Sequence, residues 1–218
     1  MDSQWRITRD TFFVFDPDRE LDAVLARIRS PKIAQVLRYW HGLRGAREFP
    51  TRADVDPAEI KKTLPHIMVT GISYEPFRVF YRLVGTEIVH WAGRDFTNRF
   101  ADELMFDDDG QDWTNYYRAA IDARKPAYGL TDWIVESRVP LWVESLICPL
   151  SSDGRTIDRC LAIEDYEPMS PLDIEALPPV WERTGVPFKK ASEQSLNASA
   201  AAPSPESSRR SRRRSRKR

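Results

Sequence analysis

The run RLVGTEIVHWAGRDFTNRFADEL, residues 82–104, changes its period within a few positions. Its start continues VFYRLVG (79–85), which is rich in β-branched and aromatic residues and predicts a strand. Thr86 to Ala92 then reads as a brief helical turn closed by Gly93. Gly85 and Gly93 thus bracket a helix too short to be stable alone, so packing against a sheet must hold it. The plainer reading of both glycines is that they permit the turns.

Upstream, IMVTGI (67–72) is separated from the 79–85 strand by Glu75-Pro76, which predicts a hairpin. Before it, Asp56-Pro57-Ala58-Glu59 offers a capping carboxylate, a proline at the first helical position and an acid three residues after the cap. A short helix ending near Leu64-Pro65 follows. Leu21, Val24, Leu25 and Ile28, then Ile33, Val36, Leu37 and Trp40 beyond Ser30-Pro31, predict two amphipathic helices. Downstream, Trp113, Tyr116, Tyr117, Ala120 and Ile121 give a helix over 112–124, stopped by Lys125-Pro126. Three extended runs follow at 127–136, 141–150 and 157–166, with Asp153-Gly154 as the turn between the last two. Five strands in this order suit an α+β fold, an antiparallel sheet with helices on one face.

The wording of 82–104 resembles a PAS domain, and with YWHGLRGAREFPTRADVDPAEIKKTLPHI (39–67) it is similar to a PAS family found mainly in alphaproteobacteria. The likeness covers roughly residues 30–166. It implies a five-stranded antiparallel sheet whose concave face and short helices enclose a core able to hold a small ligand or cofactor. Where the family pattern leads us to expect glycine after Thr97, this chain has Asn98, which adopts positive φ less readily. The asparagine-cysteine-arginine motif of flavin-binding photosensory PAS domains is missing, which disfavours light sensing through a flavin adduct.

The chain has 218 residues and a formal net charge of zero, but the charge is segregated. Residues 209–218 read RRSRRRSRKR, whereas residues 1–190 carry a net charge of −6. From Ala191 the sequence is small, polar and unable to offset its own ordering entropy, which predicts disorder. The expected organisation is an N-terminal extension with an amphipathic helix (1–29), a PAS-like domain (30–166), a C-terminal extension (167–190) and a disordered basic tail (191–218). No stretch approaches a membrane span and Met1–Asp10 lacks a secretory pattern, so a cytoplasmic protein is expected.

Catalytic wording is missing: no Walker loop, dinucleotide fingerprint, HExxH or EF-hand loop occurs, and His41 and His66 lack triad spacing. The run Asp107-Asp108-Asp109-Gly110 lacks the alternating ligands of a calcium loop and reads as solvated. No catalytic or metal site is expected, and no cofactor is assigned. The ligand-binding candidates are His90, Trp91, Tyr128 and Trp133: the histidine as a haem ligand or pH sensor, the aromatics as cavity lining. Cys148 and Cys160 lie on strands joined by a turn and form a redox pair only if they face each other; two structural thiols are the plainer reading.

In the tail, Arg209, Arg210, Arg212, Arg213, Arg214, Arg216, Lys217 and Arg218 suit polyanion binding by counterion release, with Ser208, Ser211 and Ser215 placed for modulation by phosphorylation. The sequence therefore points to a non-enzymatic sensory or adaptor protein acting through protein contacts, with a signalling partner or homodimer and residues 19–43 as the contact surface. The alternative is a nucleic-acid-associated protein that binds through the tail.

Overall fold

The computed structural model describes residues 11–104, 113–133 and 140–176. The chain divides after Leu177, and the part from Pro178 onward, with the basic tail, lies outside the described residues, as does the run 107–110. The strands are β1 (Thr11–Val14), β2 (Ile67–Tyr74), β3 (Phe77–Val84), β4 (Arg99–Phe100), β5 (Ala127–Trp133), β6 (Leu141–Leu150) and β7 (Arg159–Pro168). The helices are α1 (Leu21–Leu25), α2 (Pro31–Arg44), α3 (Thr86–Ala92), α4 (Trp113–Asp122) and α5 (Pro171–Ala176).

Among the described residues the sheet has seven strands, not the five expected, in the order β1-β5-β6-β7-β2-β3-β4, and every neighbouring pair is antiparallel. The five expected strands form its centre. The additional two are edge strands of four and two residues, too short to show a period in the sequence.

Ser30 starts α2: its hydroxyl accepts from the amides of Lys32 and Ile33, and Pro31 takes the first helical position. The apolar stripe of Ile33, Val36, Leu37 and Trp40 is fully buried against the chain's own sheet, and Trp40 Nε1 donates to the Pro149 carbonyl at 2.8 Å. Each such side chain contributes about 1.5–3 kcal/mol. This stripe is therefore intramolecular core.

The short helix expected after Asp56 becomes a turn, in which Asp56 Oδ1 accepts from the Ala58 amide, followed by a 3₁₀ helix over Lys61–His66. Pro65, lying inside that segment, has no amide to donate to an α-helical ladder. The same turn explains Gly85, whose φ of −67° any residue adopts. A Cβ there would sit 2.1 Å from the Pro65 carbonyl oxygen, so glycine is required by close approach. Gly93 takes φ +73° at the end of α3, and Asn98 takes φ +65° where the family pattern suggests glycine. The Asn98 amide donates to Tyr81 O at 2.7 Å.

Candidate functional site

Alternation along β7 gives the sheet its two functional faces. Cys160, Ala162, Glu164 and Tyr166 point one way, and Leu161, Ile163 and Asp165 the other. The first face lies under α3 and α4: Tyr166 meets Trp91 of α3, and Tyr81 meets Tyr117 of α4 at 6.4 Å. The second lies under the start of α2, where Ser30 meets Asp165. We call these the inner and outer faces.

On the inner face three half-buried rings form a cluster. Tyr166 stacks on Trp91 with centroids 5.8 Å apart and planes 25° apart, and it lies tilted against Trp133 of β5 at 6.2 Å. The Tyr166 hydroxyl donates to Glu164 Oε2. Burial lifts the Glu164 carboxyl above its ordinary range, opposed by that hydrogen bond. Burial, followed by the Glu164 charge and its hydrogen bond, drives the Tyr166 hydroxyl well up. Further along the same face, Thr70 Oγ1 and the Tyr117 hydroxyl are buried, and neither makes a hydrogen bond of good geometry. Burial pushes the neighbouring Cys160 thiol up to about 12.

The outer face is differently organised. Glu144 is 5% exposed and receives three donors: the amides of Arg29 at 2.8 Å and Ser30 at 2.7 Å, and the Tyr128 hydroxyl at 2.6 Å. Asp165, its register partner, accepts from Ser30 Oγ at 2.6 Å and Lys32 Nζ at 3.0 Å, with His66 Nδ1 3.4 Å away. Burial opposes ionisation of Asp165, but the hydrogen bonds from Ser30 and Lys32, with the Lys32 charge, hold it below the usual carboxylate range. Arg29, Ser30, Lys32, Glu144 and Asp165 border a recess of about 280 Å³, which Leu130, Trp142 and Tyr166 also line.

The four ligand candidates separate. Trp91 and Trp133 meet through Tyr166. His90 is exposed on α3, edge-on to Trp91 at 5.4 Å, so its ring does not reach the inner face. Tyr128 lies on the outer face, beside Phe13 at 5.5 Å and bonded to Glu144. Cys148 pairs in register with Leu161, and Cys160 with Pro149, so the two thiols occupy opposite faces; both are buried and free, and the facing redox pair is ruled out. Sequence reasoning missed Glu144, Glu164, Asp165 and Tyr166. Their signal was an acid inside otherwise apolar LWVESLICPL and the acid-acid-aromatic wording of IEDYEP.

Among the described residues no cluster of potential metal ligands occurs, and no helix is long and apolar enough to cross a membrane. A PAS domain family model matches residues 28–163. No curated protein matches the chain. Among solved structures, an RNA-binding Light-Oxygen-Voltage receptor is similar at 12% identity and a TM-score of 0.37; the likeness covers 50% of this chain and 32% of that one. The chain therefore spans only about a third of that receptor's length.

Proposed function

The chain belongs to the PAS domain family, and from that premise we propose that it is a non-catalytic cytoplasmic sensor-adaptor whose inner face takes up a small ligand and whose outer face passes the change to a protein partner. The supporting observation is the alternation at 164–166: Glu164 and Tyr166 sit in the inner cluster, while Asp165 between them holds the first residues of α2. A displacement of Tyr166 moves the backbone that carries Asp165. No hinge or separate relay is needed.

Hydrogen exchange at the amides of 29–34 tests this. Replacing Tyr166→Leu on the inner face is expected to speed exchange at the start of α2, with little change at the far end of α2 around Trp40. Unchanged exchange at 29–34 would break the proposed link. Native mass spectrometry of the full chain from its own host tests the ligand, with a bound mass expected. An empty chain with its ligand losses excluded would remove the sensing half.

A second reading rests on RRSRRRSRKR (209–218), which has the charge density of a polyanion-binding segment. Its affinity for single-stranded nucleic acid is expected to fall steeply with salt and to vanish on deleting residues 207–218. Binding retained after that deletion would dismiss it.

A further inference from the structure

Three carboxylates occupy neighbouring positions of β6 and β7, Glu144 and Asp165 on the outer face and Glu164 on the inner, and they are not equally served. Glu144 has three donors and Asp165 has a hydroxyl, an ammonium and an imidazole nearby. Glu164, on the inner face, has the Tyr166 hydroxyl and no cationic partner among the described residues. A shielded carboxylate without a counter-charge is costly and holds its proton instead, and a cation supplied from outside the chain would provide the missing counter-charge.

Its surroundings say which partner. Tyr166, which engages it, has Trp91 stacked at 5.8 Å and Trp133 tilted at 6.2 Å. Aromatic faces attract a cation through their quadrupole, and they favour one whose charge is spread over methyl groups, because such a cation loses little hydration on entering. A primary ammonium would need three hydrogen-bond acceptors, and the cluster presents one carboxylate already engaged by Tyr166.

We propose that the Trp91–Tyr166–Trp133 cluster binds a methylated ammonium compound, with the rings against its methyl groups and the Glu164 carboxylate as its counter-charge. This rests on the reading of the inner face as a ligand site and names the chemical class of that ligand. Occupation displaces the Tyr166 hydroxyl from Glu164 and shifts the segment that carries Asp165.

The test is calorimetric titration of the full chain with choline and with its uncharged isostere 3,3-dimethylbutan-1-ol. Choline is expected to bind saturably and the isostere about tenfold more weakly, the discrimination that ring faces and a carboxylate together provide. Glu164→Gln, which keeps an acceptor for Tyr166, is expected to weaken choline by about the same factor. Equal binding of both compounds, or no binding of choline, overturns the cation class. Native mass spectrometry separates the two failures: a neutral compound bound to the chain leaves the ligand site standing while the cation class falls. An empty chain indifferent to both probes removes both.

Discussion

Ser30 Oγ donates to Asp165 Oδ2 at 2.6 Å, and the same oxygen caps α2 by accepting from the amides of Lys32 and Ile33. One hydroxyl thus starts the N-terminal helix and ties it to the last strand of the sheet, 135 residues away in sequence. Ser30→Ala removes the cap and the tether together. It is expected to cost about 1 kcal/mol, with faster hydrogen exchange at 31–34. Asp165→Asn keeps the cap, so its exchange should change less at Lys32 and Ile33 than that of Ser30→Ala. Identical exchange in both variants would show that the tether, not the cap, holds the helix start.

Glu144 is the more deeply committed carboxylate, since its three donors have no other acceptor in their hydrogen-bonding pattern. Burial, with the hydrogen bond to Glu144 next, drives the Tyr128 hydroxyl well above its ordinary range. Glu144→Ala leaves the Arg29 and Ser30 amides and the Tyr128 hydroxyl unsatisfied, at about 1–3 kcal/mol for each. Glu144→Gln offers one acceptor oxygen and should fall between. Urea unfolding at neutral pH reads the order wild type, Gln, Ala; an Ala variant as stable as wild type would mean that water replaces the carboxylate.

Glu164 gives a pH signature of opposite sign to an ion-paired acid. Burial raises its carboxyl in the folded chain above the ordinary 4.5, so the folded state holds the proton more tightly than the unfolded one. Stability contributed by this residue therefore falls as pH rises through the window between 4.5 and the raised value. Glu164→Gln abolishes that loss. The variant should melt higher than wild type at about pH 8 and close to it at about pH 4, where the protonated acid and the amide are equivalent. A melting difference independent of pH would assign the effect to packing.

Gly85 tests the close approach at the start of α3. An added Cβ would meet the Pro65 carbonyl oxygen at 2.1 Å and its carbon at 2.5 Å, and backbone atoms cannot swing aside. Gly85→Ala is expected to cost about 1–3 kcal/mol by forcing α3 off the 3₁₀ turn. Gly42→Ala, at a helical position with open space, is the control and should be neutral or stabilising. Denaturant midpoints for the pair decide it; equal midpoints would show that α3 re-seats freely.

Much of the fold was legible because it rests on local chemistry. The change of period between 79–85 and 86–92 marked the passage from β3 to α3, and β6 spans 141–150 as expected. The hairpin at Glu75-Pro76 and the turn at Asp153-Gly154 follow from turn residues; in the latter, Asp153 Oδ1 accepts from Ser151 Oγ and from the amides of Arg155 and Thr156, while Gly154 takes φ +72°. The edge strands β1 and β4 escaped because their pairing partners, β5 and β3, supply the order that their few residues do not.

The site was half legible. Aromatic wording brought Trp91 and Trp133 forward, but it placed Tyr128 beside them, and only the register shows that Tyr128 shares its face with Glu144. A strand's period of two fixes which of its own residues lie together; it does not say which face of the sheet a helix will cover. Sequence alone therefore determined the five central strands, the longer helices and the expectation of an antiparallel PAS-like core, because spacing, caps and turns act between neighbours. The tertiary structure decided that α2 covers one face and α3 and α4 the other, that Cys148 and Cys160 are separated by the sheet, and that Glu164, Asp165 and Tyr166 serve opposite sides of one strand. Those contacts join residues far apart in the chain, and burial and register, which no local pattern encodes, select among them.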